Sequence, residues 1–276
     1  MVYVFLFIYT IGYMCLFIPI FCIGALFNAK MREGLIGRIT QPKRIRQFAK
    51  EHAHDSVVFF HSASVGEWEQ SIPIIKTLKQ SHPEIKILAS FFSPSGMQHA
   101  KKDDINCTIY LPFDVCFTNY LFFKRTHPKV WIVSKYDIWP GSLLAAHWAH
   151  VPVLLCSAEL AKDSVRYHGI NAAINRLFYK YITRIFPVSE DYKERFLNIY
   201  PFPEKLEVVG DARYDQILAK AEAVQAQPNV EIFENPLPVT FIGGSIWPAD
   251  EKHLFPALIK TFKEHDNVQL VLVPHE

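Results

Sequence analysis

The pattern of hydrophobic and polar residues divides the chain into an apolar N-terminus and a longer region where short apolar runs alternate with amphipathic stretches. Residues 1–29 contain no charged side chain and are rich in Phe, Ile, Leu, Tyr and Val. About 20 consecutive apolar residues are enough to cross the hydrocarbon core of a bilayer. The length of this first segment therefore predicts a transmembrane helix.

A cleaved signal peptide is the alternative interpretation of residues 1–29. However, no positive charge precedes the apolar stretch, which is long for a signal peptide, and a small-residue cleavage site fits poorly. The positive charges follow the segment, as Lys30, Arg32, Arg38, Lys43, Arg44, Arg46 and Lys50. The positive-inside rule then predicts a retained single-pass anchor with the remaining chain in the cytoplasm. Membrane lipids are expected partners, because basic residues attract anionic head groups.

The region after the anchor has the pattern of a doubly wound α/β fold. Its apolar runs are short, and several are continuous rather than alternating, as in strands buried on both faces of a parallel sheet. Helix-like stretches such as Asp191–Asn198 and Asp250–Lys263 lie between them, and this alternation predicts α/β architecture. The predicted strands are Val57–Phe60, Ile85–Phe91, Thr108–Leu111, Val130–Val133, Val153–Cys156, Arg184–Pro187, Leu206–Val209, Val239–Ile242 and Val268–Val273.

A proline-rich stretch with few core-like positions, Ala221–Leu237, predicts a linker between two domains. We therefore expect an anchor over residues 1–29, a first domain over 30–225 and a second domain over 226–276. Only two predicted strands and one helix follow the linker, which is too little for a domain. The sequence thus predicts a fragment, or a protein cut off partway through its second domain.

Charge and cysteine content exclude several classes of function. The formal net charge of +2 is too small to indicate a nucleic-acid partner. The five cysteines contain no CxxC spacing, so neither a disulfide framework nor a zinc signature is predicted, which fits a reducing compartment. His52 and His54 are two positions apart, which is wrong for a shared helix face, so no metal site is predicted.

The corner after the first predicted strand, "HSASVGEWEQ" (residues 61–70), carries the clearest candidate for chemistry. Glu67 should lie near a helix N-terminus, where the helix dipole stabilises a carboxylate by about 0.3–1 kcal/mol and keeps it ionised, as a general base must be. Ser62, Ser64 and Gly66 would let backbone N–H groups approach a ligand. The alternative is an ordinary N-terminal glutamate without a catalytic role.

A proline in the helix that follows this corner gives two possible predictions for where the helix begins. Proline in a helix interior costs about 3 kcal/mol, and Pro73 lies only six residues after Glu67. This predicts either a helix that begins near Ser71 or a kink.

Three later stretches offer candidate anion-binding residues, each with an ordinary alternative. In "VSKYDIWPG", Lys135 and Asp137 point the same way if the strand continues and could hold an anion, or they form a surface ion pair worth under about 1 kcal/mol. In "VVGDARYDQ", Arg213 could bind an anion or be simply solvated. In "GGSIWPADE" (residues 243–251), small residues and the start of a helix suit a nucleotide-binding turn, or an ordinary βα turn.

Taken in order, these motifs resemble one family. "HSASVGE", "FFSPSG", "LPFD", "SKYDIWP", "SAEL", "FPVSED", "VVGDARYD", "GGSIWPADE" and "LVPHE" together resemble 3-deoxy-D-manno-octulosonic acid (Kdo) transferases of lipopolysaccharide synthesis. The resemblance implies a GT-B fold of two Rossmann-like domains at the cell inner membrane. It implies inverting transfer of Kdo from CMP-Kdo, bound by the C-terminal domain, to a lipid A precursor, bound by the N-terminal domain. It also implies that no metal or other cofactor is needed.

The resemblance assigns roles to individual residues. The general base of the family, the Glu of H-[ST]-x-S-x-G-E, falls on Glu67. A Lys that is thought to stabilise the transition state falls on Arg213, and Lys135 stands where many members carry Glu in E-x-E-x-W-P. The implied acceptor-binding residues are Ser62, Ser64 and Gly66, and the implied donor-binding residues are Gly244, Ser245, Glu251, Pro274 and His275.

The donor site and the overall activity leave alternatives open. Many members read P-R-H where this chain reads Pro274-His275-Glu276, so His275 replaces an Arg that meets the CMP phosphate. The family's Gly-rich loop and H-N-x-x-E segment do not occur in the 276 residues. The alternatives are another membrane-associated GT-B glycosyltransferase that uses a nucleotide sugar, or an inactive fragment that keeps the acceptor-binding domain.

Overall fold

The computed structural model describes residues 2–100, 103–225 and 235–274. The chain separates into two compact units, Met1–Lys220 and Ala221–Glu276. The first unit contains a six-stranded sheet, and the second contains a two-stranded sheet.

The sheet of the first unit is parallel throughout, with the strand order β3-β2-β1-β4-β5-β6. Side chains alternate between its two faces, as the pleat of a strand requires. In β1, Val57 and Phe59 enter one apolar core, and Val58 and Phe60 enter the other. Apolar packing on both faces explains why the predicted strands are continuous apolar runs. The strands are β1 (Val57–Ser62), β2 (Lys86–Phe91), β3 (Cys107–Tyr110), β4 (Pro128–Ser134), β5 (Val153–Ala158) and β6 (Arg184–Pro187).

Helices connect the strands and cover the sheet. A π-helical turn, Tyr13–Phe17, joins the first two helices into one apolar rod, and short 3-10 turns lie at Val165–Tyr167 and Pro203–Lys205. The helices of the first unit are α1 (Val2–Gly12), α2 (Ile18–Phe27), α3 (Ala29–Thr40), α4 (Pro42–Glu51), α5 (Val65–Ser81), α6 (Pro94–His99), α7 (Cys116–Thr126), α8 (Pro140–Trp148), α9 (Gly169–Tyr179), α10 (Glu190–Phe196) and α11 (Ala212–Gln225), the last of which continues past Lys220.

The N-terminal rod packs one face against the rest of the first unit. The Phe5 and Phe178 rings are 5.3 Å apart, and the Tyr13 and Trp139 rings are 6.1 Å apart. The stretch Val4–Phe27 has a mean hydropathy of 2.2 over 24 residues, which is long and apolar enough to cross a membrane. The face opposite these contacts exposes large apolar side chains, namely Val4, Phe7, Ile8, Ile11, Met14, Leu16, Ile20 and Ile23.

The predicted strand Leu206–Val209 is wrong. Leu206 forms one isolated parallel bridge with Ile185, although the N–H groups of Glu207 and Val209 still donate to carbonyls of β6. Val209 is 59% exposed, so this edge segment lacks the burial on both faces that holds the other strands straight.

The predicted linker is wrong at its beginning, because its first residues, 221–225, form the end of α11. Ala, Glu and Gln are good helix formers, so the low apolar content of this stretch does not prevent a helix. Residues 226–234 of the predicted linker lie outside the described part of the chain.

The second unit is described as a single βαβ element. Strand β7 (Val239–Ile246) pairs in parallel with β8 (Val268–Pro274), and α12 (Pro248–Glu264) makes the crossover between them. A helix of this length is the usual connection between parallel neighbours.

Candidate functional site

The candidate site lies where the strands β1 and β4 end side by side. The chain places β2 and β3 on one side of β1, and β5 and β6 beyond β4 on the other side. The crossovers therefore leave these two central strands in opposite directions, and open α/β sheets bind ligands in the crevice that forms there. Glu67 follows β1 and Lys135 follows β4, so both candidates belong to this edge.

Helix α5 begins at this corner with a reciprocal cap. The Ser64 hydroxyl accepts a hydrogen bond from the Glu67 N–H at 3.4 Å, and Glu67 Oε2 accepts one from the Ala63 N–H at 2.6 Å. This arrangement is close to a capping box, which satisfies N–H groups that a helix start leaves free. The helix begins at Val65, so the predicted start near Ser71 is wrong.

The proline that suggested a later start is accommodated within α5. Pro73 lies inside the helix, whose first turn is already fixed by the cap at Ser64. Propensity at one position is a weak predictor against a satisfied N-terminus and a buried helix face.

Burial raises the pKa of Glu67 above its usual value. The Ala63 N–H opposes this increase, the Asp137 charge adds to it, and the charges of His61 and Lys135 oppose it. The sequence analysis considered only the helix dipole, which favours the ionised form of Glu67, whereas the structure adds desolvation, which raises the pKa of this carboxyl. A carboxylate with a raised pKa holds a proton more strongly, which favours a general base.

The three small residues of the corner have different environments. The Ser62 side chain is fully buried, and its hydroxyl lies 3.3 Å from that of Ser71 and 3.2 Å from that of Ser134. The Ser64 hydroxyl caps the helix. Gly66 is exposed, and apart from its chain neighbours and the backbone of its own helix no described atom lies within 4 Å of the position that a Cβ would take there. Open space for a ligand thus lies over Gly66, and contact of these residues with an acceptor remains a prediction.

A buried histidine and an aspartate form a pair that the sequence analysis missed. His61 Nε2 lies 2.9 Å from Asp137 Oδ2, and His61 Nδ1 lies 2.8 Å from the Ser90 hydroxyl. Asp137 Oδ1 accepts a hydrogen bond from Trp139 Nε1 at 3.1 Å. Burial would raise the pKa of Asp137, but its hydrogen bonds with His61 and Trp139 and the His61 charge hold it below the usual value.

The sequence predicted that Lys135 and Asp137 point the same way if the strand continues, and the structure shows that the strand does not continue. Strand β4 ends at Ser134, and Lys135 has a left-handed backbone with φ 62°, so the alternation of the strand stops there. The Lys135 ammonium lies 3.7 Å from Glu159 Oε2 instead. The alternative prediction, a surface ion pair between Lys135 and Asp137, is therefore wrong.

Arg213 reaches the same carboxylate from the first turn of α11. Its guanidinium donates to Glu159 Oε1 at 2.8 Å and to Asp211 Oδ2 at 2.6 Å. The hydrogen bond with Asp211 raises the pKa of Arg213, and the interpretation as a merely solvated arginine is wrong. Glu159 was not predicted from the sequence, because its partners Lys135 and Arg213 are distant from it along the chain. Asp211 lies two residues before Arg213 and was not predicted either.

The predicted donor-binding residues belong to the second unit. Ser245 has a left-handed backbone with φ 56° and follows Gly244 at a bulge in β7. Glu251 lies in the first turn of α12, and Pro274 is the last residue of β8. His275 lies outside the described residues. Donor binding by these residues stays a prediction.

The arrangement suits proton removal beside developing negative charge. A half-buried carboxylate, Glu67, lies within electrostatic range of the Lys135 ammonium, and Lys135 and Arg213 meet at one carboxylate. Among the described residues, no group of three or more His, Cys, Asp or Glu side chains is placed to hold a metal ion.

Comparison with known proteins matches the chain to one protein family. The family model for 3-Deoxy-D-manno-octulosonic-acid transferase (kdotransferase) matches residues 37–216, more than half of the chain. The chain is 25% identical over 225 residues to the 3-deoxy-D-manno-octulosonic acid transferase of Haemophilus influenzae, covering 79% of this chain and 51% of that protein. It is also 25% identical over 233 residues to the transferase of the same name from Aquifex aeolicus, covering 83% and 58%. The chain spans a little over half the length of these curated relatives.

A solved structure shares the fold at low sequence identity. The UDP-GlcNAc 2-epimerase from Neisseria meningitidis superposes with a TM-score of 0.54 at 15% identity, covering 80% of this chain and 66% of that chain. At this identity the likeness shows a Rossmann-like parallel sheet and says nothing about the reaction.

Proposed function

The chain belongs to the 3-deoxy-D-manno-octulosonic-acid transferase family, and from that membership we propose that it takes part in transferring Kdo from CMP-Kdo to a lipid A precursor. The transfer inverts the configuration of the anomeric carbon and is independent of metal ions. The first unit binds the lipid acceptor, and the second unit contributes to binding of the nucleotide sugar. The two units then correspond to the two Rossmann-like domains of a GT-B glycosyltransferase.

The observation that carries this proposal is the position of Glu67 at the corner after β1, with its pKa raised by burial. In the proposed reaction Glu67 accepts the proton of an acceptor hydroxyl while the hydroxyl oxygen attacks the anomeric carbon of Kdo. The bond from that carbon to the CMP phosphate breaks, and the phosphate oxygen keeps the electron pair. Such general-base assistance accelerates a reaction by about 10²–10⁴-fold.

Lys135 and Arg213 supply positive charge near this base. Kdo carries a carboxylate and CMP departs with the charge of its phosphate, so fixed cations at the edge stabilise negative charge in the transition state. The two side chains differ from those in many members of the family, and Arg213 keeps the charge of a lysine with a planar shape. Donor contacts are assigned to Gly244, Ser245, Glu251, Pro274 and His275 in the second unit.

We place the protein at the cell inner membrane, with the catalytic units on the cytoplasmic side. The apolar rod Val4–Phe27 and the basic residues that follow it support this location. The exposed apolar face of the rod is the surface offered to lipid. Attachment there would bring the enzyme to an acceptor whose acyl chains stay in the bilayer.

The test is transfer of radiolabelled Kdo by the native gene product solubilised from membranes. We expect label from CMP-Kdo to appear in a tetra-acylated lipid A precursor. Transfer from UDP-sugars instead of CMP-Kdo would assign the protein to another class of membrane glycosyltransferase. Binding of the lipid without transfer from any nucleotide sugar would show an acceptor-binding protein without catalysis.

A further inference from the structure

One carboxylate at the site edge has no role in the proposed reaction, and it contacts both cations. We propose that Glu159 is a positioning residue that holds the Lys135 ammonium and the Arg213 guanidinium at the edge occupied by Glu67. This positioning role adds to the proposed function, and its expected effect on Kdo transfer rests on that function. The contacts themselves can be tested without any activity.

The geometry gives each oxygen of Glu159 a separate cation. Oε2 lies 3.7 Å from Lys135 Nζ, and Oε1 lies 2.8 Å from a terminal nitrogen of Arg213. The side chains of Glu159 and Lys135 are 19% and 21% exposed, whereas that of Arg213 is 45% exposed. The Lys135–Glu159 contact is therefore shielded from solvent more than an ordinary surface ion pair.

The backbone on both sides of this contact is strained. Lys135, directly after β4, has φ 62°, and Ser157, two residues before Glu159, has φ 48°. Non-glycine residues seldom adopt this left-handed conformation, and such strain tends to persist where function requires it. The pairing of β5 with β6 also shifts register between Leu155 and Ala158, and a bulge of this kind redirects the side chains after it. Two neighbouring strands thus bend out of regular geometry where their side chains meet.

The two cations depend on Glu159 to different degrees. Arg213 has a second partner in Asp211, whose side chain is 4% exposed. Lys135 forms an ion pair only with Glu159 in the described part of the chain. Loss of Glu159 should therefore release Lys135 and leave Arg213 largely in place.

A double-mutant cycle tests whether Glu159 acts through Lys135. We expect Glu159→Gln to lower kcat by about 10- to 100-fold, because small displacements of a charged group are costly in a transition state, with little change in the KM for the lipid. Lys135→Met should have a similar effect, and the double variant should be no worse than either single variant. Additive losses in the double variant would overturn the proposal. Glu159→Asp, which keeps the carboxylate on a shorter stem, should recover part of the rate and covers the case in which Glu159→Gln does not fold.

Chemical labelling of lysines tests the contact independently of transfer. The intact protein is treated with an N-hydroxysuccinimide ester, and acylation of each lysine is measured by mass spectrometry. We expect Lys135 to react several-fold faster in Glu159→Gln than in the wild type, with the exposed Lys162 unchanged. Unchanged labelling of Lys135 would overturn the proposal even if transfer is slow. A wild-type protein without transfer activity would refute the proposed function alone, and labelling would still decide the role of Glu159.

Discussion

Two constraints fix the Glu67 carboxylate at the level of the single residue. Its backbone N–H is capped by Ser64, and its own oxygen receives the Ala63 N–H, so the side chain folds back over the start of α5. Burial in this position raises its pKa. A base for a sugar hydroxyl needs both features, a fixed direction and a high affinity for protons.

Substitution of this carboxylate should separate catalysis from binding. We expect Glu67→Gln to lower Kdo transfer by about 10²–10⁴-fold, since the amide cannot accept the proton, while binding of CMP-Kdo is retained. Transfer and equilibrium binding are measured on the same preparation. The matched control is Glu69→Gln, one residue beyond Trp68, where the carboxylate pairs with Lys220 at 2.8 Å. Near wild-type turnover of Glu67→Gln would remove Glu67 as the base.

The pH dependence of transfer should respond to Asp137. Burial is the main reason for the raised pKa of Glu67, and the Asp137 charge raises it further. A base works in its deprotonated form, so activity falls as pH decreases through its pKa. We expect Asp137→Asn to move the acidic limb of the kcat/KM profile to lower pH, because a negative neighbour is lost. An unchanged limb would mean that another group controls it.

The sequence suggested some of the candidate site residues and could not suggest others. Glu67 was predicted as the base because "HSASVGE" resembles a contiguous family motif, since a small-residue turn with a carboxylate at a helix start also fits an ordinary glutamate. The pair of His61 and Asp137 is separated by 76 positions, and a single sequence contains no signal that joins them. Glu159 was passed over for the same reason, since its partners follow β4 and β6. The burial that raises the pKa of Glu67 also depends on the tertiary fold.

At the scale of elements, Asp114 joins several parts of the first unit. The side chain is 2% exposed and accepts hydrogen bonds from the N–H groups of Gly141 and Ser142, the Ser142 hydroxyl and the Tyr9 hydroxyl. A Cβ at residue 141 would stand 2.9 Å from Asp114 oxygens, so glycine permits the close approach. One carboxylate therefore caps α8 and attaches the N-terminal rod.

Removing this junction should destabilise the fold. Asp114→Asn replaces one accepting oxygen with a donor that faces other donors, and we expect a loss of about 2–4 kcal/mol in the free energy of unfolding. Thermal unfolding in detergent measures it. Asp163→Asn, in an exposed loop, is the control and should leave the unfolding temperature unchanged. Equal unfolding temperatures for the two variants would contradict the role of Asp114.

The prediction of strands and helices succeeded where burial fixes the pattern of apolar residues. It failed where local hydrogen bonds or an edge position determine the backbone conformation. Strands in the centre of the sheet are continuous apolar runs, and β1 was predicted within two residues. The start of α5 was missed because the cap at Ser64 and Glu67 outweighs the penalty expected from Pro73. The segment Leu206–Val209 has strand-like composition but lies at an edge, where composition does not distinguish a strand from an extended loop.

At the scale of the whole molecule, the apolar rod has one docked face and one exposed face. Val4–Phe27 packs against the first unit through Phe5, Tyr13 and neighbouring aromatic residues, and the opposite face is exposed. If the proposed membrane attachment uses this exposed face, membrane retention depends on its side chains. The docked side should instead govern folding.

Charged substitutions on the exposed face should release the protein from membranes. Ile11→Lys combined with Ile20→Lys adds two charges to the exposed apolar face, and transfer of an unpaired charge into an apolar environment is costly. We expect the variant to move from the membrane pellet to the supernatant after carbonate extraction. Phe117→Lys, at another exposed apolar position, is the control and should stay in the pellet. Full retention of the double variant would mean that the rod is not the anchor.

The ion cluster at the site edge has a further consequence for encounter with charged molecules. Lys135 and Arg213 are balanced by Glu159 and Asp211, and the whole chain has a formal net charge of only +2. A balanced cluster produces little field beyond a Debye length, so it does not steer an anion from a distance. The association rate of an anionic nucleotide sugar would then vary little with ionic strength. Discrimination among anions would begin only on contact, when a ligand competes with two carboxylates for the same two cations.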